Sequence, residues 1–304
     1  MAHALEQLTR QRQTLASIGS VVRTMKSLAA LNAAPYERAA TSIEVWRRTV
    51  QHGLAAFAWR MAGQVLLQPA ADGRRILVVF GSDHGFCGSY NTGVARLVQQ
   101  SGVAVAGSPP VLLCVGARMQ AALREHGIAT DQVLLPPASA EGIGRVAGEL
   151  VARIEQHSRG RPLSELTVQL AFTRRAKHGG RTPQLRTLLP VPPALLQAPP
   201  RWQSPSLPDF AVPPPALLAA LLRSHIFAGV FQASAEAMVT ENAARLALMQ
   251  QAEQAVQERL ELLERQISGL RQDQVTDELM DIVIGHAQPR RGRRVPGLPS
   301  PPAA

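Results

Sequence analysis

Both ends of this chain carry a narrow apolar stripe at coiled-coil spacing, and that pairing constrains the fold more than any other feature. In the first sixty residues Leu8, Leu15, Ile18, Val22, Met25 and Ala29 step by threes, fours and sevens, which on a helix aligns them along one seam. Near the other end Leu246, Met249, Val256, Leu260, Leu263, Ile267 and Leu270 form a second seam, interrupted at Glu253. The helix carrying it is expected from Leu217 to about Ile284, with Pro213, Pro214 and Pro215 at its first turn, where no backbone donor is lost. At 1.5 Å per residue a helix of that length would measure about 100 Å, longer than a globular domain is wide, so it needs a partner along its length. The two seams are expected to pair as an antiparallel coiled coil within one molecule. A homodimeric coiled coil serving as a scaffold or regulatory module is the alternative, because a seam alone does not name its partner. Pro35 predicts a kink or break of the first helix near Ala34. The Ala, Gln and Glu content of 241–258 suits a helix that meets other surfaces weakly.

Between the seams the texture changes to short apolar runs alternating with amphipathic stretches. Strands are expected at 76–80, 111–115, 132–135 and 166–172, and helices near 91–100, 117–126 and 139–157, which makes an α/β domain with a largely parallel sheet. The organisation read from the sequence is a first coiled-coil helix at 1–60, the α/β domain at 75–189, a proline-rich connector at 190–215, the second coiled-coil helix at 216–286 and a basic tail at 287–304. The connector holds ten prolines, a density expected to exclude a helix or an inner strand.

The stretch FGSDHGFCGSYN, residues 80–91, follows the apolar run Ile76 to Val79, the setting in which many proteins hold a phosphate. A phosphate loop needs Lys followed by Ser or Thr at the helix start, and this turn has neither. A dinucleotide turn needs an acid about 20 residues on for a ribose hydroxyl; after Asp83 the next acidic residue is Glu125. What remains is a tight strand-to-helix turn in which Gly81, Gly85 and Gly88 permit positive φ or close approach and Asp83 or Asn91 caps local N–H groups. His84 beside Asp83 is read as solvated. No Ser, His and Asp trio stands out, and neither Cys87 nor Cys114 has a His or Cys at metal-ligand spacing, so no catalytic residue, cofactor or metal is expected.

The net charge of +10 favours acidic partners, yet only Lys26 and Lys177 are lysines among 32 basic residues. This arginine bias, with arginines scattered apart from 174–186 and 289–294, argues against nucleic-acid binding. The N-terminus lacks the apolar core of a secretory signal, and no uninterrupted apolar stretch approaches the roughly 20 residues of a membrane span. A cytoplasmic protein is expected, with membrane association only through partners.

Taken together the motifs resemble a known family. The segment ILVVFGSDHGFCGSYN is similar to the strand and turn V-V-S-T-D-R-G-L-C-G-G-L-N of F-type ATP synthase gamma subunits, with Asp83, Gly85, Cys87, Gly88 and Asn91 matching and His84, Phe86, Ser89 and Tyr90 departing. RQDQVTDELMDIVIGHA resembles the family's C-terminal R-Q-x-x-I-T-x-E-L-x-E-I-V-x-G-A, with Arg271, Gln272, Thr276 and Glu278 in place, and residues 224–252, LRTLLPV and TMKSLAAL are similar to further family segments. Leu31 to Pro35 stand where the family usually places Lys and Arg. The resemblance implies a central-stalk rotor subunit with no active site of its own, coupling ion flow through a membrane sector to ATP synthesis or hydrolysis. It implies as partners the alpha and beta subunits of a catalytic hexamer, an epsilon subunit and a ring of c subunits, at the cytoplasmic face of the membrane. It also implies that Arg271, Gln272, Thr276 and Glu278 form an angle-dependent catch with a beta-subunit loop.

Overall fold

The computed structural model describes residues 2–61, 74–103, 109–158, 160–176, 180–197, 206 and 209–287. Its elements are α1 (Ala2–Arg60), β1 (Arg75–Phe80), α2 (Tyr90–Gln100), β2 (Val111–Val115), α3 (Ala117–Glu125), β3 (Gln132–Leu134), α4 (Ile143–His157), β4 (Thr167–Arg175), β5 (Arg181–Leu189), α5 (Pro193–Gln197) and α6 (Pro214–Ala287). The expected tail, from residue 288, and residues 198–205 and 207–208 of the expected connector lie outside the described residues. The chain divides into two compact units, residues 22–252 and residues 1–21 with 253–304, so the division runs through both long helices.

The larger unit is built on a five-stranded sheet of order β3-β2-β1-β4-β5. β1 pairs in parallel with β2 and β4, β2 with β3, and only β4–β5 is antiparallel. A mainly parallel sheet is covered on both faces, which is why β1 reads as an unbroken apolar run. Alternation along the strand sends Ile76, Val78 and Phe80 toward α4, α6 and Val50 and Leu54 of α1, and Leu77 and Val79 toward α2 and α3. α6 crosses its face closely enough that a Cβ on Gly229 would lie 2.5 Å from a Leu188 methyl.

Two expectations are corrected in this unit. α1 is not broken at Pro35; the next residue, Tyr36, is fully buried beside Ile143, Ala235 and Val239 and donates its hydroxyl to Pro137 O at 3.2 Å, so packing holds the turn that proline weakens. Within the proline-rich stretch, Pro193–Gln197 is a short helix, permitted because Pro193 occupies its first position. α6 holds one 18-residue stretch long and apolar enough, by composition, to cross a membrane, although polar residues interrupt it, and here Leu222, Ile226, Val230, Ala233 and Ala237 pack on the sheet. Its start matches expectation: Pro214 and Pro215 lie in the first turn, and Ala216 and Leu217 donate to Pro213 O.

In the smaller unit the start of α1 lies antiparallel to the end of α6. Gly19 faces Val256, whose Cγ1 would be 3.1 Å from a Cβ at that glycine, and Leu263 and Ile267 are buried. The seam of α1 passes through Gly19 and not Ile18, which is 46% exposed. A glycine is invisible to an apolar pattern, so the sequence reading chose its larger neighbour. In both units the stripes of α1 and α6 cover one another within a single chain.

Candidate functional sites at the glycine turn and the end of α6

Sheet order reverses between β1 and β4, and the crevice beyond the carboxyl ends of such strands is where doubly wound proteins bind ligands. The turn at 81–89 lies there; a cavity of about 550 Å³ opens beside it, bordered by Cys87, Tyr90, Thr173, Arg181 and Ala244, and on the β2 side the turn's own oxygens occupy the start of α3. Asp83 Oδ1 accepts from Ala117 N at 3.1 Å, and Ser82 O lies 3.1 and 3.3 Å from Arg118 N and Met119 N. These are the first donors of α3, the groups a helix N-terminus would otherwise offer to an anion. Asn91 brackets the turn from α2, accepting from Ser82 N at 2.9 Å and donating to Ser82 Oγ at 2.7 Å, with Cys87 Sγ 3.4 Å from the same hydroxyl.

α6 borders the crevice, with Ala244, Ala247 and Leu248 lining the cavity. Tyr90 donates its hydroxyl to Ala237 O at 2.8 Å. Thr240 Oγ1 lies 3.1 Å from Thr173 O and 2.8 Å from Glu236 O, so its one proton serves one of them at a time. Arg245 pairs with Glu241 at 2.6 Å and reaches the carbonyls of Gly85 and His84 at 3.4 Å. Thr240, Glu241, Asn242, Ala244 and Met249 are buried, so the expectation that 241–258 meets other surfaces weakly fails for its first half: the helix there is part of the core. Burial pushes the carboxyl of Glu241 up despite Arg245 and raises the phenol of Tyr90.

The five turn residues therefore meet different demands. Asp83, Cys87 and Asn91 converge on Ser82 and the start of α3. Gly88 has φ of +61°, which favours glycine. Gly85 has open space where a Cβ would stand, whereas Phe86, a non-glycine residue, takes φ of +61° with its ring exposed. Tyr90, Thr173, Thr240 and Arg245 carry no role in the sequence reading; the available signal for three of them is that two stretches similar to one family, 76–91 with Tyr90 and 224–252 with Thr240 and Arg245, touch each other.

The end of α6 is a second candidate. From Arg271 to Val283 every side chain except Gln274 is exposed. Successive residues turn by about 100°, so Arg271 and Glu278 share one side, Gln272 and Thr276 another, and Val275, Leu279 and Ile282 run between them. Thr276 Oγ1 donates to Gln272 O at 2.9 Å and Gln274 Nε2 to Glu278 Oε1 at 3.3 Å. Among the described residues the Arg271 guanidinium has no ion-pair partner. The four residues expected to form a catch thus flank an apolar stripe in two pairs and do not form one cluster.

The family described as ATP synthase matches residues 4–287. A relative named ATP synthase gamma chain from Ruegeria pomeroyi is 26% identical over 286 residues, covering 90% of this chain and 96% of its own. Another of the same name from Fuscovulum blasticum is 29% identical, covering 88% and 95%. Among solved structures, a chain of the Euglena gracilis mitochondrial ATP synthase, OSCP/F1/c-ring, shares the fold at a TM-score of 0.62 and 16% identity, covering 98% of this chain and 100% of that one.

Proposed function

The chain belongs to the ATP synthase family, and on that premise we propose that it is the gamma-type central-stalk rotor subunit, coupling ion flow through a membrane sector to ATP synthesis or hydrolysis. The observation that carries this reading is the end of α6: an apolar stripe of Val275, Leu279 and Ile282, each more than half exposed, with polar residues on either side. An apolar centre with a polar rim is the make-up of a protein interface. Its occupant in this reading is the inner surface of an alpha/beta hexamer. An epsilon subunit and a c ring are the proposed partners of the sheet-bearing unit, at the cytoplasmic face of the membrane.

The rotor does no chemistry of its own. Three chemically identical catalytic sites differ in nucleotide affinity only if something asymmetric meets them unequally, and the helix pair supplies that difference. Contacts along the shaft must bias an angle without holding it. A charge-assisted hydrogen bond from Arg271 to a beta-subunit carboxylate, with Gln272, Thr276 and Glu278 beside it, contributes about 1.5 to 3 kcal/mol, which suits such a catch. α1 offers Leu31, which is exposed, where the family usually has basic residues, with exposed Leu28 one turn before it, so its contacts with the hexamer are apolar in this reading.

The chain should co-purify with an alpha/beta hexamer. In that complex Arg271→Ala should slow ATP hydrolysis and lower ion pumping about five-fold or more. Unchanged hydrolysis and pumping would remove the catch, and failure of the wild-type chain to assemble would remove the rotor reading.

A further inference from the structure

Where α6 lies along the β4–β5 hairpin, a row of polar side chains takes the place of a purely apolar contact. Gln232, Glu236 and Thr240 recur every fourth residue and share one face of the helix, and each meets the hairpin. Arg186 of β5 donates to Gln232 Oε1 at 2.8 Å, its guanidinium carbon 4.9 Å from the centre of the Phe172 ring. Arg174 of β4, itself about half exposed, places Nε 3.2 Å from Glu236 Oε2, an ion pair without hydrogen-bond geometry. The directional bonds of the row are therefore those of Gln232 with Arg186 and Glu44. Beside Thr240 stand Thr173 O at 3.1 Å and Arg181 Nη1, 3.5 Å from the Thr240 carbonyl. Gln232 also reaches α1, donating from Nε2 to Glu44 Oε2 at 3.3 Å, while Arg47 grips the same carboxylate at 2.6 and 2.8 Å. One buried amide thus joins α1, α6 and β5.

Apolar packing between a helix and a sheet specifies distance well and rotation about the helix axis poorly. Buried directional bonds do the reverse: wrong settings leave charges unpaired, and fixing register is the best-attested role of buried polar groups. Along α6 large side chains such as Ile226 and Val230 give way to Ala233, Ala235 and Ala237, small side chains that resist turning less, and the polar row runs along this stretch. We propose that Gln232, Glu236, Arg174 and Arg186 form an orientational lock that sets the rotation of α6 on the sheet, so that a turning force applied to the sheet reaches the helix without slip. They are positioning residues. The consequence for coupling rests on the rotor reading; the lock itself does not.

The test is the double variant Arg186→Met, Gln232→Leu, which keeps volume and removes the bonds. Nitroxide labels on cysteines introduced at the exposed positions Arg124 and Gln250 report the setting of α6 in the full chain, the native Cys87 and Cys114 being buried. The expected result is unchanged helix content and a distance distribution at least twice as broad as the wild type's. In the assembled complex, ions pumped per ATP hydrolysed should fall at least two-fold while hydrolysis persists, and Arg186→Lys alone should recover most of the ratio. A distribution as narrow as the wild type's overturns the lock, and a broad one with an unchanged ratio overturns its role in transmission. Should the double variant not fold, Gln232→Leu alone carries the same measurements. If the wild-type chain itself fails to assemble, the rotor reading falls and the label distances still decide the lock.

Discussion

Gly81 and Gly85 stand four residues apart in one turn and answer to different constraints. A Cβ on Gly81 would fall 2.4 Å from Met119 Cβ and 2.6 Å from Asn91 Oδ1, groups held by β1, α3 and α2 packing; one on Gly85 would meet open space. Gly81→Ala should therefore cost about 2 kcal/mol or more, in the range of overpacked cores, whereas Gly85→Ala should stay within about 0.5 kcal/mol, both read from urea unfolding of the isolated chain. His225 gives a pH signature. It is 5% exposed with Nδ1 unpartnered among the described residues, and burial, with Arg47 nearby, holds its imidazole below 6.5 while a hydrogen bond with the Leu188 backbone opposes. The unfolded chain then binds the proton more readily, so stability is lost as pH falls below about 6.5 and levels off beneath the folded value. Burial raises the carboxyls of Glu236 and Glu241, and these work in the opposite sense, adding stability as pH falls toward 4.5. Subtracting the curve of His225→Leu isolates the imidazole: the stability lead of wild type over variant should shrink between pH 7 and 5, and a constant difference would show that His225 titrates alike in both states.

At the scale of elements, Pro35 separates local preference from tertiary control. An interior proline costs a helix about 3 kcal/mol relative to alanine, and α1 continues through it because Tyr36 is anchored. Pro35→Ala should stabilise the isolated chain by about 1 to 3 kcal/mol, seen as a higher melting temperature; no gain would mean that the ring itself is packed into the site. The same contrast explains what was legible in the sequence. Four of the five strands and the helices of the α/β domain were readable, because period 2 and period 3.6 are written in neighbouring side chains, as in Ile76 to Phe80 or Val146 to Ile154; β5 was not, since Arg181, Thr182, Gln184, Arg186 and Thr187 leave it no apolar run. The stripes of α1 and α6 were readable too, except where a glycine carried the seam. The crevice contacts were not, since Tyr90 reaches Ala237 and Arg245 reaches Gly85 across about 150 residues of chain, a separation at which spacing says nothing. Glu44 stands within the helical pattern of α1 as an ordinary surface acid, yet Arg47 and then Arg48 hold its carboxyl down to about 2, and Gln232 completes the site from the other end of the sequence.

For the whole molecule, the question is which apolar surface serves folding and which is kept for another protein. Leu263 is buried in the seam of the smaller unit, at 2% exposure, whereas Leu279 and Ile282 are 57% and 60% exposed. Truncating the first removes packing within the chain: Leu263→Ala should cost about 2 to 5 kcal/mol. Leu279→Glu with Ile282→Glu removes nothing the isolated chain uses, so its unfolding free energy should shift by no more than about 0.5 kcal/mol. The same pair should disable assembly. Burying an aliphatic side chain contributes about 1.5 to 3 kcal/mol, so losing both and burying two carboxylates in their place should weaken association with an alpha/beta hexamer by a hundred-fold or more. The two measurements are separable, one on the isolated chain and one on reconstituted complex. If the double variant unfolded as readily as Leu263→Ala, the stripe would be packed within this chain in solution and could not serve as a bearing surface. If it stayed folded and still assembled at wild-type affinity, the hexamer would be gripping the shaft elsewhere, and the catch at Arg271 would lose the apolar contact that holds it in reach.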